Sequence, residues 1–324
     1  MRRLCNGSRL AVAAPSVIIR PMSTPTAALG TDRLGLLAGF AAVALWAVYN
    51  VGSRYAAGQG FVAADLVILR YAASGLIGWP LLASRGLRDL AGLGWGRGIV
   101  LALLAGPLFG LWMASGFMRA PLAHAIVFAP AATLIAILVG QRLLLKERPT
   151  PDQLVGMALL LLGLAAAGAD GLRGDYGGRV ILGDLFYCAG GASWGIFTCL
   201  LRLWRVEPFV AAFAVPALSL PALPLLFHAS GWHLLSVPLA PVAGQLVVQG
   251  IFGGFLSMLL FGIAVKRLGA GGSAAFPASV PAAALLLGVP VLGEGLTFLQ
   301  MLGVLLATLG LFCTIGVLRR LLRR

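Results

Sequence analysis

Acidic side chains are scarce in this chain: ten Asp and Glu occur in 324 residues, and charged residues of both signs make up only 10% of it. A water-soluble domain covers its surface with more than twice that share, so a soluble fold is excluded. Histidine is as rare, with three copies, and the four cysteines (Cys5, Cys188, Cys199 and Cys313) never fall at metal-ligand spacing. Cys188 and Cys199 share one predicted helix and lie too far apart along its axis to bond. No nucleophile elbow, phosphate loop, zinc motif or haem motif occurs, and no cofactor is expected. Lysine is nearly missing too. Of 24 basic residues only Lys146 and Lys266 are not Arg, which with abundant Ala, Gly and Leu suggests a GC-rich bacterial genome.

What remains is hydrocarbon. Hydrophobic residues make up 60% of the chain and its mean hydropathy is +0.98. The formal net charge of +14 does not point to nucleic acid, because the arginines stand in short clusters between apolar runs and no basic, aromatic-rich groove can be built from them. Apolar runs of about 20 residues span a bilayer as helices. They are predicted near 34–52, 61–83, 98–118, 121–141, 153–170, 181–201, 208–229, 242–265, 273–292 and 297–318. The chain therefore reads as an all-α integral membrane protein with ten transmembrane helices.

Arg85, Arg88, Arg97, Arg142, Lys146, Arg148, Arg202, Arg205, Lys266, Arg267 and the Arg-rich termini fall on one side of these crossings. The other side holds only Arg54, Arg119, Arg173 and Arg179. The positive-inside rule then places both termini in the cytoplasm of a multi-pass inner-membrane protein. Residues 1–33 form a basic tail that resembles a targeting segment or, with Met22 as the true start, an untranslated leader; residues 319–324 form a basic cytoplasmic tail.

The spans repeat. An offset of 147 aligns Arg119 with Lys266, Pro130 with Pro277, Glu147 with Glu294, Gln153 with Gln300, Gly156 with Gly303 and Gly163 with Gly310. An offset of 148 aligns Gly35 with Gly183, Trp46 with Trp194 and Arg54 with Arg202. Two repeats follow, 34–170 and 181–318, of five spans each. Five is odd, so the second repeat enters the membrane inverted, the arrangement of alternating-access carriers.

These residues carry a resemblance to the drug/metabolite transporter superfamily, specifically to its EamA-like ten-helix exporters. It rests on the Trp-containing helices around Trp46 and Trp194, on Leu69-Arg70, and on the two series Pro130, Glu147, Gly156, Gly163 and Pro277, Glu294, Gly303, Gly310. The resemblance implies a 5+5 inverted bundle around a central cavity and export of a small organic solute or metabolite. The first span contains no acid, so the proton-coupled cation export of small multidrug-resistance relatives is not implied. A membrane-embedded enzyme acting on a lipid-like substrate would need clustered His, Asp, Glu or Ser at one depth, which the sequence does not supply. A non-transporting assembly subunit would show an added soluble domain or a broad amphipathic face.

Trp46, Tyr49, Asn50 and Ser53 share one helical face and are expected either to line a solute pathway or to form an interhelical seam. Trp194, Phe197 and Thr198 repeat that spacing. Arg70 lies inside the second span and needs an acceptor: an anionic group such as a carboxylate, a neighbouring helix, or Asp65 through a water. Pro130 and Pro277 are expected to free the carbonyls of Ile126 and Ser273 as ligand acceptors, or to shape kinks. The paired glycines allow close helix approach, within the chain or across a homodimer. Glu147 and Glu294 are expected at helix ends as caps, and His124 and Asp184 as proton-coupling candidates. The stretch Gly269 to Gly272 reads as a loop.

Overall fold

The computed structural model describes residues 32–173, 178–273 and 275–316. The tail with its two readings at Met1 and Met22, and the basic C-terminal tail, lie outside these. Among the described residues nine helices are long and apolar enough to cross a membrane, α1 Arg33–Gly58, α2 Ala63–Ala83, α3 Trp95–Phe117, α4 Leu122–Leu143, α5 Pro151–Asp170, α6 Gly178–Leu203, α7 Phe209–Ala229, α8 Leu239–Gly269 and α9 Ala275–Leu292, and a shorter apolar helix, α10 Phe298–Thr314, completes the set. Each is apolar nearly all round, and its outward leucines (Leu37, Leu76, Leu286) remain uncovered by protein. Such rods are stable in lipid because a helix pairs its own backbone groups.

Contacts at the helix termini fix the directions. At one end of the bundle Arg54 at the close of α1 meets Glu294 beyond α9, and Asp170 at the close of α5 meets Thr297 ahead of α10. At the other end Asp32 ahead of α1 meets Arg267 in α8 at 3.2 Å, and Glu147 beyond α4 meets Arg202 in α6 at 3.0 Å. Successive helices therefore run antiparallel. The N–H of Gly35, 2.9 Å from Asp32 Oδ1, caps α1 and draws that carboxylate below its ordinary range, with Arg267 reinforcing it.

Packing follows a two-fold rule. α5 lies against α10 and α2 against α7; α1 on α9 is matched by α6 on α4, and α1 on α8 by α6 on α3. Each pairing is its own mate or has its mate, as two inverted five-helix repeats require. The glycines show it at the atomic scale. A Cβ on Gly163 would lie 2.7 Å from the Gly303 carbonyl oxygen, and one on Gly310 2.7 Å from that of Gly156. The two pairs exchange under the repeat. The glycine faces are thus consumed inside the chain and offer nothing to a second copy. Both helices open on the same cap: Thr150 with Gln153 before α5, and Thr297 with Gln300 before α10.

Three helices depart from α geometry. α3 breaks at Gly106 (φ −94°, ψ −138°) just before Pro107. The Tyr71 hydroxyl lies 2.9 and 2.8 Å from the Ala105 and Gly106 carbonyl oxygens, and Ser193 Oγ donates to Leu104 O at 2.5 Å, so the opened turn keeps hydrogen-bond partners at membrane depth. In α8, Leu246–Leu256 winds as a π-helix. Gly253 there follows Gly106 by 147 residues, so both repeats distort at equivalent positions. α7 tightens to a 3₁₀ turn over Leu220–Ala222 between two prolines. Helical winding continues past α8 after a break at Gly269 (φ 74°), where the sequence reads as a loop.

Candidate functional site

The two repeats enclose a divided cavity. One lobe, about 500 Å³, is lined by Trp46, Tyr49, Asn50, Met113, Ile126, Pro130, Thr133, Pro277 and Pro281. The other, about 540 Å³, is lined by Tyr71, Ser74, Phe197, Thr198, Phe209 and Phe255. Arg70, Trp194, Met258 and Phe261 border both. The volumes suit a small organic molecule. The lobes reach the Glu147 end of the bundle at Ile315 and Thr314, and at Glu207 and Lys266. Toward the Glu294 end the lining stops at Asn50 and Ala125, under a seal of rings packed edge to face: Tyr49 on Phe117 (6.4 Å between centroids) and Phe117 on Tyr187 (5.4 Å).

Each Trp of the aligned pair packs on a Phe from a distorted helix, Trp46 on Phe261 of α8 at 5.3 Å and Trp194 on Phe109 of α3 at 5.2 Å. Gly253 has no side chain to hold the Tyr49 ring off α8, and a Cβ there would collide with the ring. Asn50 spends its amide nitrogen on the Trp46 carbonyl at 2.8 Å, and Thr198 donates to Trp194 O at 2.8 Å. Thr133 donates to Ala129 O and Gly191 O at 2.8 and 2.9 Å, tying α4 to α6 at the cavity wall.

Of the side chains expected on the pathway, Trp46, Tyr49, Asn50, Arg70, Pro130, Trp194, Thr198 and Pro277 border the cavity. Ser53 does not. It is buried one turn above the lining, donates to Tyr49 O at 2.6 Å and accepts from Gln249 Nε2 at 2.9 Å, in a seam that continues through Gln245 to the Gly52 carbonyl. Asp65 makes no direct contact with Arg70. Its Oδ2 takes the Val62 N–H at 2.9 Å and lies 2.8 Å from His233 Nδ1. Beyond the break at Gly269 helical winding runs to Ser273 and is described again from Ala275, so Pro277 stands in α9 at the place Pro130 holds in α4. Pro130 lies inside α4.

His124 and Asp184 meet. His124 Nδ1 is 2.8 Å from Asp184 Oδ1, with the imidazole fully buried and stacked on Phe128. On its other side Nε2 has no hydrogen-bond partner and faces Asp170 Oδ2 at 3.9 Å. Asp170 is held by Thr297 Oγ1 and Gln300 Nε2, both at 2.6 Å. Asp170 was not singled out by sequence, although an acid closing an apolar span in so acid-poor a chain is itself a signal.

The Arg–Glu pairs were also visible only in part. Arg54 bonds Glu294 at 2.5 Å and donates to Phe117 O at 2.9 Å, while the other Glu294 oxygen accepts the Leu122 N–H at 3.1 Å. Arg202 binds both oxygens of Glu147, at 3.0 and 3.1 Å, on the exposed face. The first pair joins α1 and α9 to α3 and α4 above the ring seal; its repeat mate, beside the cavity mouth, links only α6 to the α4–α5 turn in these contacts.

The model of the EamA-like transporter family matches residues 33–168 and again 181–316. No curated protein matches the chain. A protein of known crystal structure is similar in fold, with a TM-score of 0.56 and 21% sequence identity over 89% of this chain and 98% of the other.

Proposed function

The chain belongs to the EamA-like transporter family, and on that premise we propose that it is a secondary carrier exporting a small organic solute across the bacterial inner membrane by alternating access. The domains are the two repeats, 34–170 and 181–318, and both termini lie in the cytoplasm, which puts the Glu147 end and the cavity mouth inside. The pathway runs past Trp46, Tyr49, Asn50, Arg70, Trp194 and Thr198, beside Pro130 and Pro277. The observation that carries this reading is the unequal state of two equivalent ion pairs. Arg54–Glu294 is half-buried and cross-braced where the cavity is shut, and Arg202–Glu147 is exposed where it reaches the surface.

The repeat then supplies the second state. Residues that follow Phe117 and Leu122 by 147 are Ala264 and Gly269. In the outward-open form Arg202 would reach the Ala264 carbonyl and Glu147 the Gly269 N–H, while Arg54 and Glu294 release theirs. A two-state element with an exchangeable set of contacts is what a carrier needs. His124 and Asp184 are the proton-coupling pair in this scheme.

The test is solute counterflow in proteoliposomes holding the purified chain, with amino acids, organic acids and cationic drugs as the panel. Saturable uptake accelerated by the same solute on the far side is expected for one class. Uptake that never saturates, or that internal solute never accelerates for any class, would overturn the carrier reading.

A further inference from the structure

We infer that the cavity binds a solute with one anionic head and an apolar, ring-sized body, the head held by Arg70. This rests on the carrier reading above and names its substrate class. Arg70 borders both lobes of the cavity, so its guanidinium sits where they meet. Its Nη1 is buried without a hydrogen-bond partner, and no carboxylate among the described residues lies within ion-pair distance of it. The nearest acid in sequence, Asp65, makes no direct contact with Arg70: its Oδ2 takes His233 and the Val62 N–H, and its Oδ1 is buried without a partner. What surrounds the guanidinium instead is tyrosine: the Tyr49 ring at 4.8 Å and the Tyr71 ring at 5.8 Å, whose hydroxyls partner part of the fork and leave Nη1 over.

Ring faces offset part of the cost of a desolvated cation but cannot accept its in-plane N–H bonds. A guanidinium presents those donors as a fork that a carboxylate fills with two oxygens. An intramembrane cation on a cavity wall with one buried donor left unpartnered is therefore a candidate anion site. The body of the solute follows from the rest of the wall, where Trp46, Phe109, Met113, Trp194, Met258 and Phe261 present rings and thioethers. Sign follows from the same inventory. The one acid lining either lobe is Glu207, at the mouth beside Lys266, so an ammonium group near Arg70 would find no counter-charge and would be repelled.

The experiment uses the full chain purified in neutral detergent and four ligands that share a phenylpropyl-type skeleton: 3-phenylpropanoate, 3-phenylpropanol, 3-phenylpropylamine and phenylalanine. Affinities are read by titration calorimetry, for wild type, R70Q and R70K. The carboxylate should bind about ten- to a hundredfold more tightly than the alcohol, the span expected for a charge-assisted hydrogen bond, and the amine should fail to compete. R70Q should reduce carboxylate binding to the level of the alcohol while leaving the alcohol unchanged, and R70K should recover part of the difference. Equal binding of carboxylate and alcohol to wild type, preference for the amine, absence of carboxylate binding, or a preference that survives R70Q would each overturn the assignment. Should R70Q fail to fold, the wild-type series decides alone. Selective carboxylate binding in detergent with no counterflow in proteoliposomes would sink the carrier reading and leave the anion site standing. Counterflow indifferent to charge would do the reverse.

Discussion

Arg54 and Glu294 are 240 residues apart in sequence and close to 2.5 Å in space, and the residues that replace them in the other repeat, Arg202 and Glu147, also pair, at 3.0 Å. A contact reproduced by its own mate at the opposite end of the bundle is evidence of a two-fold relation stronger than any single alignment column. It also gives the two ends a common vocabulary: each Glu can serve its Arg and a backbone N–H, and only Glu294 does both here.

Releasing that brace should favour the other state. Glu294→Gln removes a charge-assisted bond of about 2 kcal/mol, a shift of roughly thirtyfold in the ratio of states. A cysteine replacing Ala125 on the cavity wall, probed by membrane-impermeant maleimide in oriented vesicles, should become more reactive from the face where Glu294 lies. Glu147→Gln should not raise reactivity from that face, because the pair it breaks is already exposed. Equal labelling from both faces in wild type and both variants would remove the ion pairs from the mechanism.

The α5–α10 contact should be intolerant of any side chain. Gly163→Val places a branched carbon where even a Cβ would stand 2.7 Å from the Gly303 carbonyl, and backbone cannot yield as a flexible side chain can. Overpacking of this kind costs about 1–3 kcal/mol. Thermal unfolding in detergent should fall for Gly163→Val and for Gly310→Val alike, while Gly58→Ala, with nothing near its added carbon, should be neutral. A melting temperature unchanged by either valine would contradict the close approach.

The break in α3 needs its two hydroxyls. Tyr71→Phe deprives the Ala105 and Gly106 carbonyls of their donor, and Ser193→Ala does so for Leu104. Each unsatisfied buried acceptor costs about 1–3 kcal/mol. Both variants should melt earlier than wild type, and hydrogen exchange should accelerate over Leu103–Leu108. Exchange unaltered there would mean that the opened turn is held by other contacts.

The spans, the repeat and the glycine pairing were legible because each is a local or strictly periodic property: about twenty apolar residues make a rod, and one offset runs through both halves. Pathway residues were legible as far as helical spacing carries. Trp46, Tyr49 and Asn50 line the cavity, but Ser53 shares their face one turn beyond the ceiling, and spacing along a helix does not say where a neighbour closes it off. Asp65 makes no direct contact with Arg70 for a related reason. Its competitor, His233, comes from 168 residues away. The Arg–Glu pairs stood in the alignment as two matched columns, and reading across the columns would have joined them. The π-turns of α8 left no local mark beyond a glycine cluster, which lets the Tyr49 ring and α2 pack close against that segment.

His124 offers the sharpest test of coupling. It lies between two carboxylates, Asp184 at 2.8 Å and Asp170 at 3.9 Å, the three residues coming from three different helices, and Tyr187 on α6 stands between Asp184 and the Arg54–Glu294 pair above the ring seal. Leu122, two residues before it, is the backbone donor that Glu294 grips. A proton gained or lost at His124 therefore changes the charge beside the segment that the ion pair must release. If coupling runs here, a pH step across proteoliposomes should drive net movement of 3-phenylpropanoate in wild type. His124→Gln and Asp184→Asn should abolish that response while keeping counterflow at equal pH within about twofold, since counterflow needs no net proton transfer. The pairing of a lost gradient response with a preserved exchange is what separates coupling from a structural role: a variant that merely loosens α4 would lose both, and a variant that loses neither would leave His124 as a packed histidine with a good hydrogen bond.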